Sequence, residues 1–407
     1  MNKKAHILVV SQYFYPEQFR INDICREWVR RGYRVTVLTG IPNYPQGKFY
    51  TGYGLCKKRK ESWNGVEILR LPLVPRGKSS LGLILNYLSF PAAGFLWKCF
   101  TCVRADFVFN FETSPMTQSL IAVWYAKKRK IPCYLYVQDL WPENVEIVTG
   151  IHHRAVIGPI ERMVAYLYRN SDHIFATSPS FVQEIQKRTE RADKVSYWPQ
   201  YAEEFYRKEK PSLSAAIPAD GKFQIIFTGN IGKAQGLEIL PKAAMLLKDR
   251  KIRFIVVGDG RDRENFLSQL KRCGVNDQFL LIERQPPERI PPLLACADAA
   301  FVSFMKNELF EKTIPAKLQS YMACGMPILA AAAGETKRII EEADCGLCSP
   351  IGEPKQLADC IEKMMNLPRT RLDEMGRNAE AFCREHFGKK KLMDEMDGYL
   401  EKQEEYK

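Results

Sequence analysis

The chain has 407 residues, 46% hydrophobic and 26% charged, with 60 Lys and Arg against 47 Asp and Glu. At about 100–200 residues per domain, that length implies two or three domains, and the ordinary composition excludes a disordered, collagenous or small disulfide-stapled chain. The net charge of +13 is one-sided: residues 1–200 carry 28 basic and 15 acidic residues, whereas residues 201–407 carry 32 of each.

The first half alternates strand and helix signals. Ile7–Val10 is a short apolar strand, Phe19–Arg31 has helical periodicity, and Gly32-Tyr33 ends that helix before a second strand at Arg34–Leu38. Further strands are predicted at Val66–Leu71, Phe107–Phe111, Cys133–Val137 and His173–Thr177. Between them Leu81–Val103, LGLILNYLSFPAAGFLWKCFTCV, is long enough to cross a bilayer, with Arg70, Arg76 and Lys78 before it and Arg104 after it. Asn86, Pro91 and Lys98 interrupt it, and a spanning helix would break the alternation around it. It is therefore read as a buried helix or one lying in the membrane interface.

Glu203–Asp220, EEFYRKEKPSLSAAIPAD, is charged, rich in Pro, Ser and Ala and without periodicity, so it is read as a linker. Alternation then restarts: strand Phe223–Phe227, helix Leu237–Asp249, strand Phe254–Val257, helix Arg263–Arg272, then strands Phe279–Ile282, Ala299–Val302 and Pro327–Ala330. Lys389–Lys402 is a charged amphipathic helix. Strand–helix alternation in both halves predicts two open parallel sheets covered by helices, with ligands outside the carboxyl ends of the strands and close to the cleft between the domains.

A basic first half predicts an anionic partner, such as a phosphorylated substrate, a phospholipid surface or nucleic acid, against the plainer alternative of a solvated basic face. The chain carries no helix-turn-helix, zinc-finger or aromatic-basic RNA signature, so nucleic acid is not expected as a partner. The cysteines are scattered singly (Cys25, Cys133, Cys296, Cys324, Cys360), and Met1-Asn2-Lys3-Lys4 runs into an apolar stretch too short for a signal core, so a reducing cytoplasm is expected. Cys99/Cys102 and Cys345/Cys348 lack nearby histidines and are read as structural thiols, and His152-His153 as a surface pair; no metal site is expected.

Three segments carry chemistry. Phe227-Thr228-Gly229-Asn230-Ile231-Gly232-Lys233-Ala234-Gln235-Gly236 lies between a strand and a helix; glycines admit close backbone approach, the helix N-terminus offers unpaired N–H groups, and Lys233 adds a full charge. This is a phosphate-binding design distinct from the P-loop and the dinucleotide fingerprint, with a plain tight turn as the alternative. Val256-Val257-Gly258-Asp259-Gly260-Arg261 closes the next strand, where small residues keep the cleft open. Ile314-Pro315-Ala316-Lys317-Leu318-Gln319-Ser320-Tyr321-Met322-Ala323-Cys324-Gly325-Met326-Pro327 starts a helix with Lys317 in its first turn; lysine there opposes the helix dipole, a choice that makes sense if an anion sits at that end.

In this order and spacing the three segments resemble the nucleotide-sugar-binding domain of retaining glycosyltransferases of family 4, and the resemblance extends over almost the whole chain. Ser11-Gln12-Tyr13-Phe14-Tyr15-Pro16-Glu17, Arg31-Gly32-Tyr33-Arg34-Val35-Thr36-Val37-Leu38-Thr39 and Gln138-Asp139-Leu140-Trp141-Pro142-Glu143-Asn144 are similar to the branch that builds bacterial capsules, O-antigens and colanic acid, which includes N-acetylfucosamine transferases. The resemblance implies an α/β fold of the GT-B type, two doubly wound Rossmann-like domains facing a cleft. Residues 1–202 would bind the acceptor, 203–220 form the linker and 221–386 bind a nucleotide sugar, with the helix of residues 387–407 packing back on the first domain.

It also implies a metal-independent, cofactor-free enzyme that retains anomeric configuration and uses a nucleotide sugar, UDP-linked and N-acetylated sugars included, as its donor substrate. The acceptor would be a polyprenyl-diphosphate-linked glycan, reached by peripheral attachment to the anionic inner face of the plasma membrane. Donor contacts are implied for Gly229, Asn230, Gly232, Lys233, Gly258, Gly260, Arg284, Gln285, Glu311, Lys312, Thr313, Lys317 and Ser320, and acceptor contacts for Tyr13, Tyr15, Pro16, Glu17, Asn43, Ser114, Gln138 and Asp139. Lys233 and Lys317 are the candidates for stabilising the leaving diphosphate, and Asp139 for positioning the acceptor.

The departures from the family pattern are specific. Two donor-site glutamates eight positions apart are replaced by Lys312 and Ser320, with Glu311 one residue out of register. The usual arginine and lysine of the phosphate loop are Asn230 and Gln235, so Lys233 is expected to supply the charge; a histidine common at the catalytic position is Gln138. These changes keep two other readings open, a GT-B protein that binds without catalysis and a nucleotide-sugar epimerase on the same fold.

Overall fold

The computed structural model describes residues 4–77, 79–210 and 217–402. Lys78, residues 211–216 of the expected linker and residues 403–407 of the C-terminal stretch lie outside the described residues. The chain divides into two compact units, Met1–Trp198 and Pro199–Lys407.

The first unit contains β1 (His6–Val10), β2 (Arg34–Gly40), β3 (Lys60–Trp63), β4 (Val66–Leu71), β5 (Phe107–Glu112), β6 (Cys133–Val137), β7 (His173–Ala176) and β8 (Val195–Tyr197). They form one sheet in the order β3-β4-β2-β1-β5-β6-β7-β8, parallel except for β3, which pairs antiparallel with β4. The central strands read HILVV and CYLYV, buried at every position, because helices cover both faces of a parallel sheet. The winding runs outward from β1 through β2 and β4, then restarts at β5 in the other direction, so the reversal lies between β1 and β5.

Two elements of this unit differ from expectation. β3 joins β4 through Asn64-Gly65, both at positive φ (47° and 80°), the left-handed geometry of a tight hairpin turn. The stretch 81–103 forms the helix Ser80–Phe100. One face is internal: Asn86, Phe90 and Pro91 are buried, and Gly94 lies so close to Ile121 that a Cβ would stand 2.4 Å from that side chain. The other face exposes Leu81, Ile84, Leu85, Leu88, Phe95, Leu96 and Phe100, the last 84% accessible. The helix is therefore not a buried one, and its spacing of exposed apolar residues at three and four positions makes a continuous stripe.

The second unit contains β9 (Phe223–Thr228), β10 (Ile252–Val257), β11 (Phe279–Ile282), β12 (Ala299–Ser303), β13 (Ile328–Ala331) and β14 (Gly346–Ser349), all parallel, in the order β11-β10-β9-β12-β13-β14. Alternate residues feed two cores: Ile225, Phe227, Phe254 and Val256 on one face, Ile226, Ile255, Val257 and Val302 on the other. The unit boundary falls ahead of the stretch read as a linker, and of its described residues Tyr206 and Ile217 pack into this core. The helix Lys389–Lys402 buries Leu392, Met393, Met396 and Leu400, and Lys389 Nζ lies 3.1 Å from Glu204. Cys345 and Cys348 are free thiols, raised by burial to about 12 and about 11. His152 and His153 are both exposed, and His153 Nδ1 accepts from Ala155 N.

Candidate functional site

In the second unit the winding reverses between β9 and β12, the place where open α/β sheets bind ligands outside their carboxyl ends. The segments following β9 and β10 interlock there. Gly229 N donates to Val257 O at 2.9 Å, Ile231 N to Asp259 O at 2.9 Å, and Asp262 N to Ile231 O at 3.0 Å. A Cβ on Gly258 would stand 1.9 Å from Gly229 O, and one on Gly260 would stand 2.1 Å from Ile231 O. These two glycines therefore serve the packing of one loop on the other, rather than holding a cleft open. Beyond the loop the chain forms a 3₁₀ turn, Lys233–Gln235, and the helix starts only at Ile239. Lys233 is exposed on that turn.

Lys317 lies in the first turn of the helix Ala316–Ala323, as predicted, and its side chain returns to the β9 loop. Its Nζ donates to Gln235 Oε1, stands 3.9 Å from the centroid of the Phe227 ring, and lies 3.9 Å from where a Cβ would sit on Gly229. The residue is half-buried, yet its amine is desolvated, and burial lowers its pKa to about 7 with no charged neighbour opposing the shift. An amine held near a ring face, at a helix N-terminus and without an acidic partner among the described residues, can receive an anion. The charge beside Gln235 thus belongs to Lys317, and not to Lys233.

The other expected donor residues occupy the same carboxyl edge with different freedom. Arg284 is exposed after β11, and Gln285 Nε2 donates to Glu283 O at 3.1 Å. Glu311 is exposed at the end of the short helix Glu308–Glu311, its backbone against Gly334, where a Cβ would stand 1.9 Å from Glu311 O. Lys312 follows as the cap of that helix. Thr313 Oγ1 donates to Leu309 O at 2.9 Å, and Ser320 Oγ donates to Ala316 O at 3.1 Å, both within their own helical turns. Asn230 and Gly232 lie at the mouth of the loop, Asn230 exposed.

In the first unit the predicted acceptor residues follow β1, β2, β5 and β6, the carboxyl edge around the second reversal point. Glu17 is buried; its Oε1 accepts from Asn43 N at 2.7 Å and Tyr44 N at 2.6 Å, and its Oε2 from Phe14 N at 3.3 Å. Burial raises its pKa to about 7, against those three hydrogen bonds. Asn43, also buried, accepts from Arg76 N at 3.0 Å and donates to Ile41 O at 2.9 Å. Both side chains hold the loops after β1 and β2 together. Tyr13 packs between Phe19 and Tyr44, at 5.3 and 5.4 Å between ring centroids, with its hydroxyl buried and unpartnered; Tyr15 stacks on Trp63 at 4.8 Å, and Pro16 is half-buried beside it.

Asp139, two residues past β6, accepts from Ser114 N at 2.9 Å, while Ser114 Oγ accepts from Trp141 Nε1 and Asn144 Nδ2, both at 3.1 Å. Burial raises its pKa against the hydrogen bonds from Ser114 and Asn144. Beneath it sits Glu112, the last residue of β5 and a residue the sequence reading missed. Its side chain is wholly buried, Oε2 accepts from Gln138 N at 3.3 Å and Asp139 N at 3.4 Å, and Oε1 has no partner. Burial first, and the Asp139 carboxylate second, hold Glu112 well above the usual carboxylate range, against the two backbone N–H donors. The available signal was a lone acid closing the run FVFNFE, apolar but for Asn110.

Comparison with known proteins decides the family. The description "Glycosyl transferases group 1" matches residues 210–382, and "Glycosyl transferase 4-like domain" matches residues 18–199. Over 343 residues the chain is 26% identical to WcaI of Escherichia coli (strain K12), named as a colanic acid biosynthesis glycosyl transferase, covering 78% of this chain and 81% of WcaI. The chain is a family 4 glycosyltransferase. Its fold agrees: sucrose-phosphate synthase from Thermosynechococcus elongatus aligns over 99% of this chain and 100% of its own with a TM-score of 0.80 at 14% identity. Anabaena HepE in complex with UDP and glucose aligns over 98% of this chain and 100% of its own with a TM-score of 0.72 at 17% identity. This glycosyltransferase therefore has the GT-B fold, with two Rossmann-like units. The glycine loop after β9 is met by the Lys317 amine, carried on a separate helix.

Proposed function

We propose that this glycosyltransferase moves a sugar from a UDP-linked or related nucleotide sugar to a polyprenyl-diphosphate-linked glycan in bacterial surface polysaccharide synthesis, with retention and without a metal. The observation that carries the donor assignment is the desolvated Lys317 amine, which lacks an acidic partner among the described residues and faces the glycine loop after β9. As the bond from the sugar C1 to the diphosphate breaks, negative charge grows on the leaving oxygens, and a cation fixed there stabilises the transition state more than the ground state. A leaving phosphate oxygen takes the acceptor hydroxyl proton, so no strong protein base is required. In the first unit Asp139, oriented by Ser114 and Asn144, positions the acceptor, and Glu17 and Asn43 keep the loops beneath it in place.

The lipid character of the acceptor is supported by the exposed stripe on Ser80–Phe100 and by the cations beside it. Lys128 Nζ donates to Lys98 O and Cys99 O, and Arg129 donates to Thr101 O, which ties the basic run 127–130 to the carboxyl end of that helix. Lys127 and Lys130 also line an open cavity of about 510 Å³ with Arg169, Arg191 and Lys194. An apolar face flanked by cations suits the interface of an anionic bilayer at the inner face of the plasma membrane, each basic residue contributing about 1 kcal/mol near such a surface. The name of WcaI supports the polysaccharide context. Purified protein incubated with a panel of nucleotide sugars and a polyprenyl-diphosphate-linked acceptor, in excess chelator, should release nucleoside diphosphate and glycosylate the lipid. Activity that requires added magnesium or manganese would overturn the metal-free mechanism, and nucleotide-sugar isomerisation without transfer would favour an epimerase.

A further inference from the structure

The donor-site reading leaves Gln235 without a task, although it is held with care. Its N–H donates to Gly232 O at 2.9 Å, and its carbonyl accepts from Ser303 Oγ at 2.6 Å. Its neighbours are fixed as well: Met305 N donates to Ala234 O at 3.1 Å, and a Cβ on Gly236 would stand 2.4 Å from Phe304 O. The side chain thus leaves a turn clamped to the end of β12, and its Oε1 accepts from the Lys317 ammonium. Lysine is a point charge on a flexible four-carbon stem, and its desolvated amine would gain by turning outward to water unless something holds it. The Phe227 face supplies part of that hold and the Gln235 oxygen the rest.

The choice of an amide is informative. A carboxylate at 235 would neutralise the ammonium and repel a phosphate, whereas a neutral amide oxygen occupies one of the three N–H donors and leaves the others for a ligand. We propose that Gln235 is a positioning residue, holding Lys317 where its ammonium meets the diphosphate of the donor, and that the charge and its holder can exchange places. This rests on the donor-site reading above. With lysine at 235 and glutamine at 317, an amide and an ammonium still meet across the same contact, so the site regains its cation from the other side.

Calorimetric titration with UDP, and with inorganic pyrophosphate as a base-free probe, tests the assignment in the full chain. Lys317→Gln should weaken UDP binding roughly 30-fold or more, as expected for loss of a charge-assisted contact in a desolvated site. Gln235→Leu should weaken the parent roughly 5-fold but alter the Lys317→Gln background less than about 2-fold, the non-additivity of two groups acting as a unit. The exchanged pair Gln235→Lys with Lys317→Gln should recover to within about 5-fold of the parent, and a merely structural Gln235 would not yield that rescue. Equal cost of Gln235→Leu in both backgrounds, or an exchanged pair no better than Lys317→Gln, overturns the positioning role while the donor site stands. A parent that binds neither UDP nor pyrophosphate overturns the donor-site reading and the inference with it. Melting temperatures recorded alongside confirm that each variant is folded, since none of these changes removes core volume.

Discussion

At the carboxyl edge of β1, β5 and β6 the buried polar groups are carboxylates, amides and tyrosine hydroxyls, whereas beyond β9 and β10 glycine backbone meets the desolvated Lys317 amine. The first unit carries all of the chain's net charge, yet Glu17, Glu112 and Asp139 lie at the carboxyl ends of β1, β5 and β6, while the mostly exposed basic run Lys127–Lys130 precedes β6 at the opposite edge and Lys57–Lys60 leads into the antiparallel β3 beside β4. The second unit is neutral overall, yet its site holds a cation with no acidic partner among the described residues. Net charge therefore reports the outer surface of each unit, and the ligand is better inferred from the groups whose desolvation is uncompensated.

Five single variants and one triple variant would break or sharpen that contrast. Lys317→Ala should lower kcat/KM roughly 100-fold, about 2.7 kcal/mol of transition-state stabilisation, whereas Lys233→Ala, removing an exposed charge, should stay within about 5-fold. Initial rates with the cognate donor decide this, and the reverse ranking would return the charge to the loop. Gly258→Ala should cost roughly 2–4 kcal/mol of stability, because its Cβ would overlap Gly229 O at 1.9 Å and φ is 152°. A melting temperature unchanged by that substitution would mean the two loops are not packed as described.

A third test uses pH. The Lys317 amine is charged below its pKa of about 7 and neutral above it, so UDP affinity should fall as pH rises through 7 and 8, and Lys317→Arg should flatten that profile. Glu112 works in the opposite chemical sense. Its folded pKa lies above its unfolded value, so the folded state holds a proton that the unfolded state has lost above about pH 4.3, and stability contributed by Glu112 declines as pH rises from there. Glu112→Gln, which cannot ionise, should raise the melting temperature more at pH 7.5 than at pH 5, with transfer changed only slightly. The smallest effect on catalysis is expected from Leu85→Ser with Leu88→Ser and Leu96→Ser. These should reduce sedimentation with anionic liposomes while leaving transfer to a water-soluble acceptor intact.

The legibility of each part follows the same physics. Central strands such as β1 and β6 were readable to within a residue because a parallel strand covered on both faces must be a continuous apolar run. β3, β8 and β14 were not, since edge strands reading KESW, VSY and GLCS carry little apolar pattern, and the hairpin signal Asn64-Gly65 was missed. The glycine loop and the off-pattern lysine at a helix start pointed to the proposed anion site. Which charge serves it was hidden, because Lys317 and Gln235 meet across 82 residues of sequence. Gly258 and Gly260 looked like room for a ligand and are room for a neighbouring loop, a distinction that only the fold can make.

Thermal shift of the parent and Lys317→Gln against a panel of nucleotide sugars tests the central claim most directly. A ligand at about 100 times its Kd stabilises the folded state by about 2.7 kcal/mol, so one nucleotide sugar should raise the melting temperature of the parent by several degrees. The account predicts that Lys317→Gln loses most of that shift while melting, without ligand, no lower than the parent, because a desolvated amine has been removed. A cognate donor that stabilises both proteins equally, or a panel that stabilises neither, would contradict the claim that the carboxyl edge of β9 and β10 is the donor site.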